Sequence, residues 1–471
     1  MKPFSFDQGF ECAPNSIGSV RIGAIFQGWR VRQVLGVAVL CVSMLGATRP
    51  ASAQTTVGES VVEDRAWRST SPMLMRREIV EPMVPGGLQG EAESRAAEGS
   101  IMVAIQAEAG IYLNPANPGS GNFGQLFHDR ANAPQLNQVL LTLSRTPIAP
   151  GGGYGVGFNF QAMYGSDARY DGILGINDDW IGARNQIAIS QANVAAHLPW
   201  LTNRGVDLKI GILPGAMGIE TLDPHLRPFY SLSYTANFLV PFQHVGAIAT
   251  VHVGSHLDVF SQLDSGNQVS FGGGDHNGAP AGYLGLVLHD LDDGRLSIFA
   301  TTRIGPELPR RLYPHADSQM RYWNDISVLY NPTKTVSLGL EANYLYDDGL
   351  QAAAYAMMGF ATYKANPRLS LSVRAEIYRD ETGQFTALFL GNQSFIKSVA
   401  GDPAQVVTGP GATYGSWTVG ASIRPAVLQK LAEVIVRPEI RYDRSLSDTR
   451  PFNDLKDRSA FMTGADLIIG F

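Results

Sequence analysis

From Ile101 to the C-terminus the chain alternates apolar and polar side chains with a period of two. In Leu369-Ser370-Leu371-Ser372-Val373-Arg374-Ala375-Glu376-Ile377-Tyr378 every odd position is apolar, and every even one is polar or carries a polar tip. Val336 to Tyr344 repeats the pattern, as do Ile101 to Leu113, Val206 to Ile212, Trp417 to Arg424 and Val434 to Asp443. Successive side chains of a strand point to opposite faces, so this period predicts strands with one apolar and one polar face. About ten residues is the length at which a tilted strand crosses a bilayer. Counting back from Phe471, strands are expected near 459–471, 433–445, 412–424, 367–380, 352–363, 335–346, 320–330 and 295–304. The series continues at 280–290, 247–262, 228–239, 205–215, 187–198, 154–164, 136–146 and 101–113. The expected fold is all-β, a transmembrane antiparallel up-and-down β-barrel of about sixteen strands, with fourteen or eighteen as the alternatives.

The connections carry a second signal. Short turns at 292–295, 331–334 and 365–368 alternate with long polar or Gly-rich stretches at 264–279, 381–411 and 446–458. Short periplasmic turns and long outer loops are what a barrel in the outer membrane requires. No stretch beyond the leader approaches ~18 consecutive apolar residues, which excludes transmembrane helices and leaves barrel strands open.

At the N-terminus Arg30 and Arg32 precede an apolar run from Val34 to Ala47, followed by Ala51-Ser52-Ala53 and Gln54. That order predicts a signal peptide over 1–53 cut between Ala53 and Gln54. Residues 54–100 lack a sustained period, are rich in Glu and Arg, and read as a periplasmic tail or tether. Both cysteines, Cys12 and Cys41, lie in the leader, so no thiolate site is expected in the mature chain. The leader takes five of the 36 basic and two of the 42 acidic residues, leaving a mature net charge of −9. Nucleic acid is excluded as a partner on that balance.

Several stretches resemble one known family. They are Gln191 to Leu198, Gly205 to Glu220, Phe229 to Tyr234, Pro241-Phe242-Gln243-His244-Val245-Gly246 and Arg437-Pro438-Glu439-Ile440-Arg441-Tyr442-Asp443. Together they are similar to the OmpL-like outer-membrane β-barrel porins, over roughly Ile101 to Phe471. Gln243 departs from the Thr expected in the Pro-Phe-x-His-x-Gly turn. The resemblance implies an outer-membrane channel, and it implies neither a catalytic residue nor a substrate.

Charged rows are the candidate functional feature. Residues two apart share a face, so Arg437, Glu439, Arg441 and Asp443 form one row and Arg374, Glu376, Tyr378 and Asp380 another. An Arg facing lipid costs ~2–4 kcal/mol near the midplane, which turns both rows inward. With Glu341, Lys209 and Arg303 they are the predicted pore-lining residues. The competing reading makes the rows ion pairs that brace the wall, with selectivity set by a loop folded into the barrel. Leu467, Ile469 and Phe471 share the outward face of the last strand and resemble the signal that barrel-assembly machinery reads. Pro438 removes a ladder donor in mid-strand, and a bulge is expected there. His252 and His256 share a face but stand ~13 Å apart along a strand, too far for one ion, so no metal site is expected.

The reading is therefore a porin in the cell outer membrane, not an enzyme and without a cofactor, passing small hydrophilic solutes by passive diffusion. Its partners would be outer-membrane lipid, lipopolysaccharide and the barrel-assembly machinery, with a homotrimer left open. The alternatives are an outer-membrane barrel enzyme of phospholipase type and a secreted β-rich binding protein. G-x-S-x-G, H-E-x-x-H and P-loop motifs are absent from the sequence.

Overall fold

A computed structural model describes residues 101–147, 149, 152–426 and 432–471. The expected leader, its cleavage site at Ala53 and Gln54, and the tail over 54–100 lie outside the described residues. The strands are β1 (Met102–Leu113), β2 (Pro134–Arg145), β3 (Gly155–Gly165), β4 (Gln186–Leu198), β5 (Val206–Pro214) and β6 (Gln243–His252). They continue with β7 (Leu257–Asp264), β8 (Ala281–Asp290), β9 (Leu296–Pro306), β10 (Met320–Thr333), β11 (Val336–Asp347) and β12 (Ala352–Asn366). The last are β13 (Leu369–Asp380), β14 (Ala387–Phe389), β15 (Val406–Thr408), β16 (Ala412–Ile423), β17 (Glu433–Ser445) and β18 (Ser459–Gly470). Apart from β14 and β15, which pair as a small hairpin, all sixteen join one closed antiparallel barrel. The seam is β1 against β18, from Gln106 opposite Gly470 to Leu113 opposite Thr463. Main-chain bonds between Phe471 and Ile105 extend it, so neither end strand keeps an open edge.

Alternation along the strands decides which side faces what. On β13, Leu371, Val373 and Ile377 are exposed outward, whereas Ser370, Ser372, Arg374, Glu376, Tyr378 and Asp380 are buried inside. Apolar out and polar in is the inverse of a soluble sheet and matches a lipid exterior. Tyr442, Phe461 and Phe471 are exposed near strand ends, where amphipathic rings suit the membrane interface, and Trp417 is exposed in the middle of β16.

The strand total agrees with the expectation through two errors that offset each other. Residues 228–239 are not a strand but part of the β5–β6 connection, which ends in a π-helical turn at Thr235–Leu239. Residues 247–262 are not one strand, because β6 and β7 are separated by a turn at 253–256. The alternation of the first segment reflects packing inside the lumen, and that of the second runs on through a tight turn. The bulge expected at Pro438 is also corrected. Gly420 opposite Glu439 and Ile423 opposite Val436 keep one register across it, and Pro438 pairs regularly with Ala465. Pro438 faces outward, so its missing donor interrupts the ladder without shifting it.

The inner volume is filled by side chains and by returning loops. Tyr112, Phe229, Tyr230, Tyr234, Trp323, Tyr378 and Tyr414 form a buried aromatic core inside the barrel. Small inward positions serve this packing rather than holding water. A Cβ on Gly339 would lie 2.3 Å from the Phe360 ring, and one on Gly110 would lie 2.5 Å from that of Tyr230.

Candidate functional site

The connection from Gly215 to Phe242 leaves the wall at β5 and returns at β6, its base closed by Gly215 N donating to Phe242 O at 2.7 Å. Four prolines, Pro214, Pro224, Pro228 and Pro241, lie in or beside it. They deny it a regular ladder and leave its main-chain donors in search of other partners. Those partners stand on β11, β13 and β17. In the ring of sixteen, β13, β16 and β17 are six to eight strands from the loop's two roots, so the segment crosses the lumen to the facing wall.

Wall carboxylates accept from the loop's main chain. Glu341 Oε2 accepts from Ile219 N at 2.8 Å. Glu376 accepts from Tyr234 N at 2.8 Å and from Thr235 N and Oγ1 at 2.7 Å. Glu439 accepts from Tyr230 N at 2.8 Å, from Ser231 N at 3.2 Å and from the Tyr112 hydroxyl at 2.7 Å. Wall guanidiniums donate to the loop's carbonyls in turn. Arg374 Nη1 reaches Ser231 O at 2.8 Å and also pairs with Glu220 of the loop. Arg437 Nη1 reaches Pro224 O and Arg227 O, both at 2.8 Å, and Arg441 Nη1 reaches Leu232 O at 2.6 Å. Bonds to charged groups are worth about 1.5–3 kcal/mol each, and several acting on one segment hold it in a single position.

A buried charge cluster anchors the same loop near its midpoint. Arg227 pairs with Glu108 at 2.9 Å, Arg437 reaches the same carboxylate at 2.8 Å, and Arg437 also pairs with Asp466. Opposite charges so arranged meet the cost of removing each from water. Rings add to the contact: Tyr234 stacks on Tyr378 and Tyr414 with centroids 5.4 and 5.2 Å away, and the Arg441 guanidinium lies over Tyr234 at 5.4 Å. Toward the outer mouth, Phe127, Tyr170, Phe389 and Phe395 pack edge to face, joining the loops 114–133, 166–185 and 381–411.

The predicted pore-lining residues thus divide. Arg374, Glu376, Arg437, Glu439 and Arg441 come together under the loop, Asp443 orients Arg441 at 2.9 Å, and Glu341 holds the loop's first turn. All seven face inward, yet each is 4 % exposed or less, so they form the loop's seat and not an open water-lined surface. Arg303 lies elsewhere, bound to Asp264 at 2.8 and 2.9 Å and to Glu307 at 2.9 Å, with the Tyr283 ring beneath it. Lys209 is buried on β5, away from this group. The sequence reading leaves out Arg227, Glu220 and Asp466, the first two because they lie between the expected strands 205–215 and 228–239, in a stretch to which no face is assigned. The prolines around it were the available signal.

Residues 100–471 match the family described as "Putative beta-barrel porin-2, OmpL-like". The chain belongs to this family. It is a porin of the outer membrane. A search of curated proteins found no match. Among solved structures, this porin is similar to the outer-membrane channel DcaP of Acinetobacter baumannii, at 11% identity and a TM-score of 0.50, covering 79% of this chain and 97% of that one. It is also similar to OmpF of Salmonella typhi, at 9% identity and a TM-score of 0.51, covering 79% of this chain and 98% of that one. At such identities the likeness concerns the barrel fold. The porin's loop seat rests on its own residues.

Proposed function

We propose that this porin passes small hydrophilic solutes by passive diffusion and that the segment 215–242 sets the width of the path. The supporting observation is the fastening of that segment to the far wall by Glu341, Glu376 and Glu439 through its amides and by Arg374, Arg437 and Arg441 through its carbonyls. A segment held from both sides is a fixed partition, so solutes are selected by size at a rigid rim. The buried guanidiniums are matched by carboxylates and carbonyls, which leaves them little net field to steer ions. The reading assigns neither a catalytic residue nor a cofactor. It includes the leader over 1–53 with its cut after Ala53, the tail over 54–100, and recognition of Leu467, Ile469 and Phe471 by assembly machinery. It also includes contact with lipid and lipopolysaccharide through the outward apolar face. Purified protein in planar bilayers should give stepwise ohmic conductance, and liposomes holding it should swell in small sugars and not in large ones. A correctly folded barrel that conducts nothing would overturn the reading.

A further inference from the structure

At the other end of the lumen, beside the short turns, five consecutive strands from β4 to β8 contribute side chains in which imidazole and carboxylate alternate. His197 Nδ1 lies 2.6 Å from Asp207 Oδ1, and the second oxygen of Asp207 lies 2.9 Å from His252 Nε2. His252 Nδ1 lies 2.8 Å from Asp258 Oδ1, and Asp258 Oδ2 lies 3.5 Å from His289 Nε2. His289 Nδ1 ends the chain 2.9 Å from Asp290. The contacts with the loop 215–242 use none of these residues.

Three of them offer the donor set of an ion. One ligand atom each from His197, Asp207 and His252 falls within 4.8 Å of the others. In a four-coordinate zinc site with bonds of ~2.0–2.1 Å, neighbouring ligand atoms stand roughly 3.4 Å apart. The two short contacts need therefore open by less than about 1 Å, with the ion taking the place of the shared protons. Beyond the ligands the surroundings also fit. The free nitrogen of His252 is held by Asp258, the carboxylate–imidazole support that fixes a ligating ring and raises its basicity. His197 rests against Gly205, where a Cβ would come within 2.7 Å of the ring, so that position leaves room for the imidazole. Asp207 is fully buried, while the side chains of His197 and His252 keep 11% and 14% of their surface exposed, giving an ion a way in. Lys209, two positions along β5, is a cation on the same strand, but three carboxylates, Asp207, Asp258 and Asp290, leave the surroundings negative.

We propose that His197, Asp207 and His252 form a binding site for a divalent transition cation of the zinc class at the periplasmic mouth of the lumen, with the fourth position open to water. Imidazole with one carboxylate suits Zn2+ over Ca2+ or Mg2+, which take oxygen ligands. The site was hidden in the sequence because its residues are 10 and 45 positions apart and meet only across strand pairs.

The test uses the full mature chain in detergent, without an affinity tag. Zn2+ is titrated against a chromophoric chelator, and Co2+ is followed by its visible absorption. One equivalent of Zn2+ per chain is expected, with Co2+ giving the intense bands of a low-coordinate site. His252→Ala and Asp207→Asn should abolish both signals, Asp258→Asn should weaken zinc by about 10- to 100-fold, and His256→Ala should change nothing. Should His252→Ala fail to fold, seen as loss of heat-modifiable mobility, Asp258→Asn and His197→Gln carry the test. Absence of stoichiometric zinc in the parent chain, or binding unchanged in every folded variant, would overturn the proposal. Neither result would bear on conductance.

Discussion

Glu376 uses both of its oxygens on the loop, one toward Tyr234 N and the other toward Thr235 N and Oγ1. Glutamine in its place keeps the shape and loses the charge and one acceptor. One amide is then left short, at a cost of about 1–3 kcal/mol. Glu376→Gln should therefore quicken hydrogen exchange at Tyr234 and Thr235 by about 10- to 100-fold, with the barrel strands unchanged, and Glu439→Gln should do the same at Tyr230 and Ser231. Equal exchange in parent and variants would remove these carboxylates from the role of anchors. Asp171, in the loop between β3 and β4, gives a pH signature. Burial pushes its carboxyl up to about 7, against the bond from Ser190 Oγ and with Asp167 adding to the rise. The folded state thus holds a proton that the unfolded chain releases near pH ~4, so the associated stability is present below that pH and declines up to about 7. The decline has an upper bound of about 4 kcal/mol. Asp171→Asn should raise the unfolding temperature at pH 8 and leave it nearly unchanged at pH 4, measured by calorimetry. A variant that gains nothing at pH 8 contradicts the assignment. Asp129 cannot mimic this, because Arg169 and Arg184 hold its carboxyl below the usual range in spite of burial, and it titrates at more acid pH.

Among the elements, the wall strands were legible because lipid and lumen impose opposite chemistry on alternate residues, as Leu371 and Ser372 show. The segment 228–239 imitates that alternation for another reason. Its Phe229 and Tyr234 bury themselves in the lumen core while its main chain turns to Glu439 and Glu376. A one-dimensional pattern records that residues are buried, and not against what. The inward direction of Arg374, Arg437 and Arg441 was therefore readable, but the loop that covers them was not. Excising residues 219–238 and joining the ends with a short Gly-Ser linker tests the element as a whole. The barrel ladder does not pass through it, so a heat-modifiable protein should still form. Single-channel conductance should rise about twofold or more, since pore cross-section sets the passage of hydrated ions. Conductance at or below that of the parent would place the narrowest point in another loop.

At the scale of the whole molecule, the bonds that fix the loop span great distances along the chain. Tyr230 and Glu439 are 209 residues apart, Arg437 and Pro224 are 213 apart, and Tyr234 and Glu376 are 142 apart. Contacts this remote are slow to form, because a long stretch of chain must be ordered before they stabilise anything. Timing follows from the map of partners. During assembly β5 and β6 can pair with each other while the segment between them still lacks its acceptors, which belong to strands made much later. The amides of Tyr230 and Ser231 find Glu439 only when β17 arrives, and β18, which completes the ring against β1, comes directly after it. Sealing of the wall and narrowing of the passage are thereby two results of one late step. A chain stopped before β17 has an unsealed wall and a loop without its far anchor, so a half-built barrel never stands in the membrane as a finished ring with an unrestricted hole.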